Sequence, residues 1–171
     1  MMTESRRTHC ILAAVTYLFT TLLLAPAALA GTTVPFDDEI APGTILIKTS
    51  ERRLYYVLDD GRAVRYSVGV GKAGMQWSGR SSITGKFIKP DFVMPDDLRR
   101  KNTPAVVPAG SPRNPLGAAA LTLHADYAIH GTNRPGSVGS FVSHGCIRMH
   151  NREVMDLYRR VSVGTPVIVT R

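Results

Sequence analysis

Cysteine is nearly absent from this chain. Cys10 and Cys146 are the two in 171 residues, too few for the disulfide framework that staples small exported domains. One apolar run, over 11–25, is the longest in the chain, and nothing after it reads as a membrane span. There is no internal repeat, no coiled-coil heptad, no basic helix and no base-stacking motif. The formal charge of +8 therefore gives no reason to expect nucleic acid. A basic surface suits polyanions or carboxylate-rich partners, and equally serves solubility.

The first thirty residues read as an export signal. Arg6 and Arg7 make a basic start, Leu22, Leu23 and Leu24 lie in the apolar run, and Ala28-Leu29-Ala30 is a small-x-small cleavage pattern. The expectation is a cleaved signal peptide over 1–30, with export to the periplasm or cell-wall space. An uncleaved anchor is the alternative; the run is short for a span, and Pro26 breaks it. Residues 31–171 would then be one ordinary domain whose sole thiol is Cys146. An exported free thiol risks oxidation and mispairing, so its presence asks for a chemical reason.

Residues 31–41 read as a flexible lead-in, and 42–171 as the folded domain. Strands are expected over 44–48 and 53–58, with Asp60-Gly61 as a hairpin turn. Val64, Tyr66, Val68 and Val70 alternate with Arg65, Ser67 and Gly69, the clearest period of two in the chain. A strand over 82–89 comes next. From Pro90 to Pro115 lie six of the eleven prolines; this predicts a long irregular connection with one helical turn near 96–101. Strands over 118–124 and 127–130 follow. Asn151 reads as the N-cap of a helix carrying Val154, Leu157, Tyr158 and Val161, with Gly164 as its stop and a last strand over 166–170. The fold class is mostly β, with one or two short helices.

The chemistry gathers around Ser143-His144-Gly145-Cys146-Ile147-Arg148 and Ile129-His130-Gly131-Thr132. A free thiol is only a few per cent thiolate at neutral pH, and an imidazole that takes its proton makes a thiolate–imidazolium pair. His130 and His144 are both candidates for that base. Gly131 would free the backbone beside His130 for unusual torsions, and its carbonyl could orient the ring. Asp126 is the nearest acid in sequence to complete a triad. The backbone N–H groups of Gly145 and Cys146 would suit an oxyanion hole, and Arg148 a substrate carboxylate. A metal site is the rival, since His124, His130, His144, Cys146 and His150 offer nitrogen and sulfur ligands. Their spacing lacks the paired pattern of structural zinc, and no metal or other cofactor is expected.

These two segments together resemble the signature of the bacterial L,D-transpeptidase catalytic domain. The resemblance extends to Ile45, Ile47, Leu54, Tyr55 and Val68-Gly69-Val70-Gly71-Lys72, and to the helix and strand over 151–169. It departs from the family where Ser82-Ile83-Thr84-Gly85 stands in place of Thr-Pro-Thr-Gly. It implies a β-sandwich-like fold and peptidoglycan stem peptides as substrates. It also implies Cys146 as nucleophile, His130 as base, and Ser143, His144, Gly145 and Gly131 as the wall of the site. Arg148 matches the arginine of one subgroup. A thioester on Cys146 would pass to an amine: a second stem, an outer-membrane or wall protein, or a free D-amino acid. Carbapenem adducts are expected as well. A cysteine peptidase or amidase, with water as acceptor, and a non-catalytic wall-binding domain are the competing readings.

Overall fold

The computed structural model describes residues 30–95, 99 and 104–171. The expected signal peptide and, Arg99 apart, the expected helical turn near 96–101 lie outside them. In chain order the strands begin with β1 (Thr32–Pro35), β2 (Ile45–Lys48), β3 (Arg53–Val57), β4 (Arg62–Ser67) and β5 (Val70–Gly71). Then come β6 (Gly79–Ser82), β7 (Gly85–Ile88), β8 (Phe92–Val93), β9 (Val106–Val107), β10 (Ala119–Thr122) and β11 (Ala128–His130). The chain closes with β12 (Phe141–Ser143), β13 (Ile147–Arg148), the helix α1 (Asn151–Arg160) and β14 (Pro166–Thr170).

Two sheets face each other across one core. The larger runs β1-β4-β3-β2-β14-β6 and the smaller β13-β11-β10-β7. Ile45, Ile47, Leu54 and Tyr66 of the larger sheet meet Leu121, Ile129 and Ile147 of the smaller, with Val154 and Leu157 of α1 completing the cluster. This is the β-sandwich-like, mostly-β architecture expected, with one α-helix among the described residues. The inward face at 64–70 holds: Val64, Tyr66, Val68 and Val70 are buried, while Arg65 is exposed, Ser67 is half-buried and Gly69 is buried with its neighbours.

Four local expectations need correction. Residues 31–41 are not a loose lead-in throughout, because Thr32–Pro35 pairs antiparallel with β4 along its full length. The single strand expected over 82–89 is two strands in different sheets. Ile83, 1% exposed, turns the chain between them: its N–H donates to Thr165 O and its carbonyl accepts from Gly164 N–H. An apolar corner residue of this kind looks in sequence like a strand centre. Asn151 is the first helical residue, not the cap; His150 occupies the N-cap position, and its carbonyl accepts from Glu153 and Val154. The helix ends at Arg160 with Val161 as its cap, so Gly164 belongs to the following turn.

The proline-rich connection is held by one buried side chain. Asn114, 2% exposed, donates through Nδ2 to Pro90 O at 2.8 Å and accepts Leu116 N–H at 2.9 Å. The connection carries the β8–β9 hairpin, whose Phe92 reaches a cavity on the smaller sheet.

Candidate active site

The site is built on a parallel pair of strands. β11 and β13 align Ile129 with Ile147 and His130 with Arg148. Side chains alternate across a strand, and Ile129 and Ile147 are at most 1% exposed in the core. Their burial contributes roughly 2 kcal/mol each and fixes which way the neighbours point. Ala128 and His130 on β11, and Arg148 on β13 with Cys146 just before it, therefore share the opposite face. A cavity of about 300 Å³ lies there, lined by His130, Cys146, Arg148, Ser143 and His144 among others. A larger cavity of about 420 Å³, between Lys89 and Asn151, holds neither thiol nor imidazole. Size would favour it as a site; chemistry favours the smaller.

His130 is 5% exposed. Its Nδ1 lies 2.6 Å from Gly131 O, which makes Nδ1 the donor and puts the lone pair of the neutral ring on Nε2. Burial lowers its pKa to about 4; the Gly131 carbonyl opposes the shift, the Arg148 charge adds to it and the Pro115 carbonyl opposes it. Burial pushes the Cys146 thiol upward, against the Ala128 N–H and the Arg148 charge, which both favour the thiolate. At neutral pH the pair therefore rests as thiol and imidazole. Burial works against the ion pair expected from sequence, because it penalises both charged forms.

The backbone around the thiol is held from three sides. Ser143 Oγ donates to Cys146 O at 2.6 Å and accepts Gly145 N–H at 3.1 Å. The Gly145 N–H is thus occupied, which removes it from the oxyanion pair expected and leaves the Cys146 N–H. Trp77 Nε1 donates to Gly145 O at 3.0 Å. The indole is stacked on the Tyr127 ring, centroids 4.8 Å apart and planes within 4°. Gly145 has φ +122°, and a Cβ there would run into Tyr127; glycine is required on both counts. The chain's only tryptophan stood out in sequence, but nothing there joined it to position 145.

The Gly131 carbonyl orients the His130 ring as expected, but the unusual torsion expected of this glycine is absent. Its φ is ordinary, and a Cβ on it would meet Asn151 Oδ1 and the Ala118 N. The Asn151 Oδ1 accepts N–H groups from Ala118 and Thr132, both at 3.0 Å, and so ties the start of α1 to the turn after His130. Asn151 therefore supports the site from the first residue of α1, not as the helix cap expected.

His144 is exposed, with Nε2 3.3 Å from Lys72 Nζ. It lines the cavity but lacks the fixed ring of His130. Asp126 reaches the rim, and among the described residues no hydrogen bond joins it to His130. His124 is exposed beside Ser82 Oγ. Among the described residues no three His, Cys, Asp or Glu side chains gather as metal ligands, so the five candidates do not converge. Arg148 is half-buried, and its Nε is buried without a protein partner.

YqjB of Bacillus subtilis (strain 168), whose name places it among the L,D-transpeptidases, is 39% identical over 145 residues, 80% of this chain and 77% of its own. ErfK/SrfK of Escherichia coli (strain K12), named likewise, is 36% identical over 76% of this chain. The chain spans 44% of that relative's length. The fold matches an L,D-transpeptidase from Mycobacterium smegmatis, with a TM-score of 0.60 and 21% identity over 75% of this chain and 58% of that one. It also matches the E. faecium L,D-transpeptidase catalytic domain acylated by ertapenem, at 0.57 and 21% over 74% of this chain and 95% of that one. The family model for the L,D-transpeptidase catalytic domain matches residues 42–169, a span that leaves out β1 and the last residue of β14 but takes in the rest of both sheets, α1, His130 and Cys146, and the chain belongs to that family.

Proposed function

We propose that this protein is an exported acyltransferase of the bacterial cell wall, with Cys146 as nucleophile and His130 as general base. One observation carries the reading: a buried imidazole at the end of β11 and the chain's one described thiol, just before the adjacent β13, line the same cavity. The donor is a peptidoglycan stem tetrapeptide ending in a diamino acid and D-alanine. Because both groups start neutral, His130 Nε2 takes the thiol proton as Sγ attacks the carbonyl of the third residue. The oxyanion is met by the Cys146 N–H, whose peptide Trp77 holds through the Gly145 carbonyl while Ser143 holds the carbonyl of the next peptide. D-Alanine leaves with the proton from His130, and a thioester remains. An acceptor amine gives its proton to the same histidine and displaces the thiol. The acceptor is a second stem, a wall or outer-membrane protein, or a D-amino acid. These steps need no cofactor.

Incubation with a carbapenem tests the nucleophile. A covalent mass adduct is expected on the native protein and none on Cys146→Ala; an adduct on the variant would remove Cys146 from the role. His130→Ala should acylate slower by orders of magnitude, whereas an unchanged rate would move the base to His144.

A further inference from the structure

A second cavity, of about 320 Å³, adjoins the thiol cavity and shares Phe92, Pro115, His144 and Arg148 with it. Its walls come from the β8–β9 hairpin on one side and residues 132–134 on the other. Arg113, Arg134 and Arg148 all line it, and no Asp or Glu does. Among the described residues none of the three guanidinium groups forms an ion pair. The Arg148 Nε is buried and unpartnered; burial chiefly, and the Arg134 charge in smaller part, weaken the hold of Arg148 on its proton. Uncompensated like charges around a concave space cost free energy unless an anion joins them. A guanidinium presents a planar fork that matches a carboxylate.

We propose that this cavity is a carboxylate subsite, in which Arg113, Arg134 and Arg148 hold a free carboxylate that the acyl donor carries besides the one on its departing D-alanine. The protein then selects stems whose side carboxyls are free over stems in which they are carboxamides. A carboxamide is neutral and brings two N–H donors to a wall made of donors, so it both loses the charge and leaves hydrogen bonds unmade. This inference rests on the acyl-transfer reading of the Cys146 site.

Two synthetic tetrapeptide stems, alike but for free carboxyls or carboxamides at those positions, provide the test, with D-alanine release as the readout. The free acid should give about tenfold higher kcat/KM, carried mostly by KM, as expected for a charge-assisted hydrogen bond. In Arg113→Gln/Arg134→Gln the ratio should fall to about one, and each single variant should lie between; thermal melts record that these surface changes keep the fold. Equal rates on the two peptides, or a preference that survives in the double variant, would overturn the subsite and leave the acyl-transfer reading standing. Silence on both peptides together with no carbapenem adduct would overturn that reading and the subsite with it.

Discussion

The Trp77 indole N–H donates to the carbonyl of Gly145 at 3.0 Å. That carbonyl and the Cys146 N–H belong to one trans peptide, so they point in opposite directions. By holding the carbonyl, Trp77 turns the Cys146 N–H away from itself and fixes its aim. Trp77→Phe keeps the stack on Tyr127 and removes the bond. Carbapenem acylation, which builds an oxyanion, should slow about tenfold. Alkylation by iodoacetamide, which builds none, should keep its rate. Equal slowing of both reactions would mean that the indole only supports the fold.

Gly145→Ala meets two obstacles, the positive φ and the Tyr127 ring. Displacing the thiol by even an ångström costs about a hundredfold in rate. Acylation should fall at least that far. Tyr127→Ala added to it should not restore the rate, since the torsion remains unfavourable for any side chain. Full rescue by the second substitution would assign the whole effect to the clash.

The acid limb of the pH profile should lie near His130's lowered pKa of about 4, well below the ordinary histidine value of about 6.5. The imidazole must be neutral to act as base, and it loses that state only as pH falls through 4. Stability follows the same sign. The folded pKa is depressed, so the contribution is present above pH 6.5 and is lost as pH falls from there toward 4. Cys146 alkylation should climb through the alkaline range, because burial raises the thiol's pKa. A plateau of alkylation already reached at pH 6 would show a pre-formed ion pair instead.

Asn151→Ala strips the acceptor from the N–H groups of Ala118 and Thr132. The loss should be about 1–2 kcal/mol by urea unfolding. Asn151→Asp, which keeps an oxygen in the same place, should recover most of it. If Asp is as damaging as Ala, the oxygen is not what the turn needs.

The legible parts of this chain are those written in short-range pattern. Val64 to Val70 shows its inward face by alternation, and the glycine-flanked histidines and thiol stand out in any scan. What could not be read depends on partners far apart in sequence. Trp77 meets Gly145 across 68 residues, and Asn114 meets Pro90 across 24. Ser143 takes the Gly145 N–H through a side chain whose rotamer no sequence pattern states. The burial that unsettles the thiolate–imidazolium expectation is likewise a sum over both sheets. Thr32–Pro35 is hard to read because a four-residue edge strand of two threonines, one valine and one proline carries almost no apolar signal.

The register that sets His130 beside Arg148 is the same one that seats Ile129 against Ile147 in the core. Nucleophile and base therefore have no hinge of their own. Warming the protein should not dull catalysis gradually through a fraying site. Activity should persist until the sandwich itself gives way, and inactivation and melting should fall on one curve. A stabilising change anywhere in that shared core would extend the working temperature without any alteration to the residues that touch substrate.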